Sequence, residues 1–101
     1  MVVKTYTRWI NPKKLDELLY ALREIGIDVW RHSYSYRLIY KNTIIASLHI
    51  YPGYNDIIIR ILGVNRKTAM SIMKYILTKI REVLPHYKIH IKIIEPKIKI
   101  K

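Results

Sequence analysis

Two stretches of this chain repeat their apolar residues at helical spacing, and the rest alternates as strands do. Leu15, Leu18, Leu19, Leu22 and Ile25 mark the first helix. Asn11 precedes it as an N-cap, Pro12 suits the first helical position, and Gly26 breaks the helix at its end. Ala69, Ile72, Met73, Ile76, Ile80 and Val83 mark the second, opened by Gly63 and an N-cap at Asn65 and stopped by Pro85. Val2 to Trp9 is rich in residues that suit a half-buried pleated surface and predicts a strand. Ile27 to Tyr51 reads as strand throughout. A hairpin turn is expected at Lys41-Asn42-Thr43, and a bulge or second bend is compatible with Ser33–Ser35. Tyr51 to Asn55 is a turn. Ile57 to Leu62 is apolar on both faces apart from Arg60, which predicts a central strand buried on both sides. From Tyr87 the chain alternates again: Lys88, His90 and Lys92 face one way, and Ile89, Ile91 and Ile93 the other. Pro96 interrupts that run and belongs at an edge or bend.

This pattern predicts an α+β fold, a two-layer sandwich with both helices on one face of a mixed or antiparallel sheet. The helices align at an offset of 54 positions, Asn11 on Asn65, Lys13 on Lys67 and Leu18 on Ile72. Two readings of that alignment are open. One is a duplicated β-α-β-β unit, with repeats over 1–54 and 55–101 and a groove between them. The other is two independent capped amphipathic helices. With 101 residues, a single domain over 1–101 is expected.

Charge changes the picture more than length does. Lys and Arg total 19 against 7 acids, a formal net charge of +12. The second half carries most of it, with 11 bases and 3 acids over 55–101 against 8 and 4 over 1–54. Such an excess favours anionic partners and says nothing about fold. The absence of Cys removes disulfides, thiolate metal sites and cysteine nucleophiles. The opening MVVKTYTRWINPKK has no apolar signal region, and no apolar run is long enough to span a bilayer as a helix. A cytoplasmic location without membrane contact is therefore the expectation.

Two stretches are candidates for polyanion contact. In Trp30 to Lys41, an unbroken strand would put Trp30, His32, Tyr34, Tyr36 and Tyr40 on one face. Arg31, Ser33, Ser35, Arg37 and Lys41 would take the other. Rings can stack on bases while cations hold phosphates. Trp30, Tyr34 and Tyr36 are the expected stacking residues, and Arg31, Arg37 and Lys41 the expected phosphate contacts. The same aromatic residues could instead cover a sheet face or fill a homodimer interface. The second helix carries Lys67, Ser71, Lys74, Thr78 and Arg81 as one stripe, from which Lys67, Lys74 and Arg81 would meet phosphates. An ordinary solvated face would look the same.

Catalytic patterns are thin, and neither a catalytic residue, a metal nor a cofactor is expected. His86 and His90 straddle Pro85 and lack helical ligand spacing. Glu95-Pro96-Lys97 spells a nuclease-like acid and lysine, with Asp56 as the only convenient second acid. Tyr75 and Lys79 echo a replication-initiation tyrosine, but the paired histidines that chemistry needs are missing. No glycine-rich phosphate loop occurs. In its Ile, Lys and Tyr richness, its lack of Cys and Phe, and its size, the chain resembles the small orphan proteins of viruses of hyperthermophilic archaea (crenarchaeal hosts). That resemblance covers composition and no motif. It implies a basic protein of the host cytoplasm, several of whose counterparts bind nucleic acid, and it transfers no residue role. Non-enzymatic binding of nucleic acid, DNA above all, is the leading expectation. The alternative is a peptide- or protein-interaction module that uses an edge strand or the groove between repeats.

Overall fold

The computed structural model describes residues 10–95. Helix α1 spans Pro12–Glu24. Strands β1 (Asp28–His32), β2 (Ser35–Tyr40), β3 (Thr43–Tyr51) and β4 (Asp56–Leu62) follow, then helix α2 (Arg66–Val83) and strand β5 (Lys88–Ile94). The sheet order is β1-β2-β3-β4-β5. The first four strands form an antiparallel meander, and β5 pairs parallel to β4. The protein is thus an α+β fold with a mixed five-stranded sheet. The strand expected over Val2–Trp9 and the bend expected at Pro96 lie outside the described residues.

Local chemistry accounts for the helix boundaries. The Lys13 N–H donates to the Asn11 side-chain oxygen at 2.9 Å, satisfying one orphan donor at the start of α1. At its end Gly26 takes a φ of +89°, which glycine adopts without steric cost. The Gly26 N–H then reaches the Arg23 carbonyl, and the Ile27 N–H reaches that of Leu22. Those two bonds close the helix as a Schellman motif. Asn65 occupies the N-cap position of α2 but makes no capping bond; its amide instead donates to the Ile44 carbonyl at 2.8 Å.

Both helices cover the same face of the sheet. Leu15, Leu18 and Leu22 of α1 join the apolar stripe of α2 in one buried cluster with Val29, Leu38, Leu48, Ile50, Ile57, Ile59 and Ile61. Where β2 meets β3 the register shifts after Leu38, so Ile45 is an extra residue; it and Ala46 are both buried. The expectation for Ile57–Leu62 needs correcting. Its burial alternates, with Ile57, Ile59 and Ile61 buried while Ile58, Arg60 and Leu62 are only half-buried. The strand is interior to the sheet, but only one of its faces lies under helices.

The described residues show no second copy of a β-α-β-β unit. After α1 the chain makes an antiparallel hairpin, whereas after α2 it makes one strand that returns parallel to its predecessor. The Asn residues aligned by the 54-position offset also play different roles, one accepting within its helix and the other donating to a strand.

Candidate nucleic-acid interface

The face of the sheet away from the helices is ordered by strand register. Trp30 pairs with Arg37, Arg37 with Ser47, Ser47 with Arg60, and Arg60 with Lys92. Partners directly opposite each other in a sheet share a face, so these five residues form one row across all five strands. A second row runs beside it: His32, Ser35, His49, Ile58 and His90. Adjacent strands are about 4.8 Å apart, so each row is about 19 Å long, and the two lie roughly 6.6 Å from each other along the strands. Beyond them, Asp56 pairs with Tyr51 on one side and Lys88 on the other.

Trp30 is 62% exposed at the β1 end of the first row. Around it lies a concavity of about 430 Å³ lined by Trp30, Arg31, His32, Ser35, Arg37, Ser47 and His49. Ser35 Oγ and His49 Nδ1 are 2.7 Å apart, and the His49 ring stacks on Tyr51 at 4.9 Å. His90 Nε2 lies 3.2 Å from Asp56 Oδ1, so one of this face's acids is engaged locally. The concavity therefore offers an exposed indole, two imidazoles, hydroxyls and a guanidinium on one wall of the sheet.

The structure divides the sequence-predicted residues into several places. Trp30 and Arg37 come together on the open face. The sequence expectation had put them on opposite faces, because it took Trp30 to Lys41 as one strand. Ser33 and Tyr34 form a two-residue turn, with Ser33 at a φ of +57°. A two-residue hairpin makes His32 face the same way as Ser35, which inverts the odd-even pattern beyond it. Tyr36 is the clear correction. It is fully buried on the helix side, and its hydroxyl donates to the Leu15 carbonyl at 2.7 Å. Burial holds its phenol well above the ordinary value, with Arg31 opposing the shift and Asp16 adding to it. It cannot stack on a base. Tyr34 packs against the core and lies half-buried, so it too is no open platform.

Arg31 borders the concavity, but its guanidinium donates to Asp16 Oδ1 and to the Ser33 carbonyl, each at 2.9 Å. It ties β1 to α1. Lys41 sits in the turn between β2 and β3, its ammonium 5.3 Å from the Tyr40 ring and beyond the end of β1. Lys67, Lys74 and Arg81 are exposed along α2, on the side of that helix opposite its buried stripe. They form a second basic surface, away from the sheet row. Lys79 is set apart from that stripe. It donates to Glu24 Oε1 at 3.1 Å and lies 3.7 Å from Glu82, and the Glu24 hydrogen bond raises its pKa.

Arg60, Lys92, His49 and Ser47 were absent from the sequence-derived site. The strict alternation of Lys88, His90 and Lys92 was a readable signal, as was the lone Arg60 in an aliphatic strand. What joins them to Trp30 is register across strands far apart in the chain. Asp56 and Glu95 lie at opposite ends of the β4–β5 ladder, roughly 20 Å apart at strand rise, so they cannot share one ion. Among the described residues no three His, Asp or Glu side chains gather as metal ligands, and no helix is long and apolar enough to cross a membrane. Comparison with known proteins gives no match to any family model, curated protein or solved structure.

Proposed function

We propose that this chain is a non-enzymatic nucleic-acid-binding protein, with DNA the expected partner, and that the open face of its sheet receives the ligand. The observation that carries this reading is the cross-strand row of Arg37, Arg60 and Lys92 beside an exposed Trp30, on a sheet face opposite the helices. Cations there meet phosphates by charge, which accounts for affinity without sequence preference. The net charge of +12 adds long-range attraction for any polyanion. A cytoplasmic location accords with such a partner.

Anisotropy titrations of labelled oligonucleotides at several salt concentrations test the proposal. Micromolar binding at low salt is expected, weakening as salt rises. Arg37→Ala, Arg60→Ala and Lys92→Ala should each reduce the slope of log K against log salt by about one, the amount expected for one lost phosphate contact. Lys67→Ala, Lys74→Ala and Arg81→Ala should leave that slope nearly unchanged. Absence of binding at low salt would defeat the proposal, and losses confined to the helix variants would move the interface to α2.

A second reading has one observation in its favour. On the helix side of β5, Ile91 and Ile93 remain 41% and 38% exposed. β5 is also an edge strand among the described residues. Such an edge suits a partner peptide that pairs by strand addition. The groove between repeats, the other site expected for a peptide, has no repeat to define it among the described residues.

A further inference from the structure

Resting on the nucleic-acid reading, we infer that the open sheet face takes a single strand rather than a duplex, laid across the β-strands with a base stacked on Trp30. Three features of the face lead there.

The first is width. A B-form major groove is about 12 Å wide and admits a helix or a two-stranded ribbon. The five-stranded face is about 19 Å across, too broad to enter it. A duplex could touch this face only by its phosphate ridges. Its base faces would stay covered by their neighbours in the stack, and the indole would have nothing to stack on.

The second is the division of the face along its length. Trp30, His32 and His49 surround the concavity at the β1–β3 end. Arg60 and Lys92 stand on β4 and β5 at the other end, with Arg37 between. Trp30 thus stands in the cation row itself, and His32 and His49 lie in the row beside it. That suits a chain whose bases and phosphates are both within reach, as they are in an unpaired strand.

The third is length. Even at the compact duplex rise of about 3.4 Å per nucleotide, a row of about 19 Å holds no more than about six nucleotides. The hydroxyl of Ser47 and the imidazole of His32 lie alongside for base edges or sugar, next to Ser35 and His49, which bond each other. These groups donate and accept without a fixed code, consistent with weak sequence preference.

The test compares oligothymidylates of 3, 6 and 12 nucleotides with a 12-base-pair duplex, by anisotropy at one low salt concentration. These lengths are chosen around the limit of about six nucleotides set by the row. The 12-mer single strand should bind more tightly than the duplex, and affinity per site should level off near six nucleotides. Trp30→Ala should weaken single-strand binding about 5- to 150-fold, the range for one lost stacked base. It should leave duplex binding within twofold, and Trp30→Phe should retain most of the affinity. Because Trp30 is exposed, both variants should keep the wild-type melting temperature, which excludes unfolding as a cause. Equal or tighter duplex binding, or single-strand affinity unchanged by Trp30→Ala, would overturn this inference while leaving nucleic-acid binding in place. Failure of both ligands to bind the wild type would overturn the nucleic-acid reading and the inference with it.

Discussion

Ile58 and Ile59 are neighbours in β4 and have the same side chain, yet they belong to different chemistries. Ile59 is fully buried under the two helices, level with Leu48 and Ile91 in the ladder. Ile58 lies between His49 and His90 on the open face and is half-buried. The same contrast runs through the whole sheet. One face is a continuous apolar cluster with no buried charge among the described residues; the other collects Trp30, Arg37, Arg60, Lys88, Lys92 and three histidines. The comparison teaches that covering, rather than side-chain type along the strand, separates scaffold from surface here. An aliphatic residue on the open side is no evidence that the side is closed.

The largest effect that sharpens this comparison is in that pair. Ile59→Ala should cost about 2–5 kcal/mol, from lost burial and the cavity left behind. Ile58→Ala should cost about 1 kcal/mol or less, since much of its surface already meets solvent. Denaturant melts of both variants measure the difference, and equal costs would mean that the open face is packed against something. Tyr36 gives the next effect. Tyr36→Phe removes the hydroxyl bond to Leu15 and should cost about 0.5–1.5 kcal/mol. Because burial raises the Tyr36 pKa in the folded state, its stabilising share is complete below about pH 10, where the unfolded chain's phenol is neutral. It falls as pH rises above that value. Stability measured from pH 9 to 11.5 should therefore drop more in the wild type than in Tyr36→Phe; parallel curves would show that Tyr36 is not sealed in the core. The smallest effect belongs to Arg37→Ala, which should change stability by no more than about 0.5 kcal/mol, as expected for an exposed side chain. A larger loss would place Arg37 in the scaffold and remove it from the binding row.

Legibility in the sequence followed the range of the physics involved. Helix positions were readable because caps, breakers and apolar stripes are local. Asn11, Gly26 and the six apolar residues of α2 act where the pattern put them. The turn at Lys41 and Asn42, both with positive φ, was also a local signal. The hairpin at Ser33 and Tyr34 was weaker, since neither residue favours a left-handed backbone as Gly or Asn does. A bend at Ser33–Ser35 was expected, but the faces were assigned on an unbroken strand, which inverted those of Arg37 and Tyr36 and so placed a core tyrosine in the binding site. The row itself could not be read in advance. It depends on four registers, and the last brings Arg60 beside Lys92 from the far side of α2. Asn65 shows a further limit. Its position at the head of a helix was readable, but its bond to Ile44 belongs to tertiary packing.

The parallel pairing of β4 and β5 also bears on the order in which the molecule comes apart. Strands β1 to β4 are joined by turns at residues 33–34, 41–42 and 52–55, so their ladders close over short loops. β5 meets β4 only after residues 63–87, including all of α2. Closing a longer loop costs more chain entropy, and β5, an edge strand among the described residues, gives up its hydrogen bonds without disturbing a second neighbour there. The β5 ladder should accordingly open in excursions that leave the meander intact. In native-state hydrogen exchange, the bonded amides of Lys88–Ile94 should exchange sooner than those of β3, which is paired on both sides. The row would then lose Lys92 for as long as each opening lasts, while Trp30 and Arg37 stay in place.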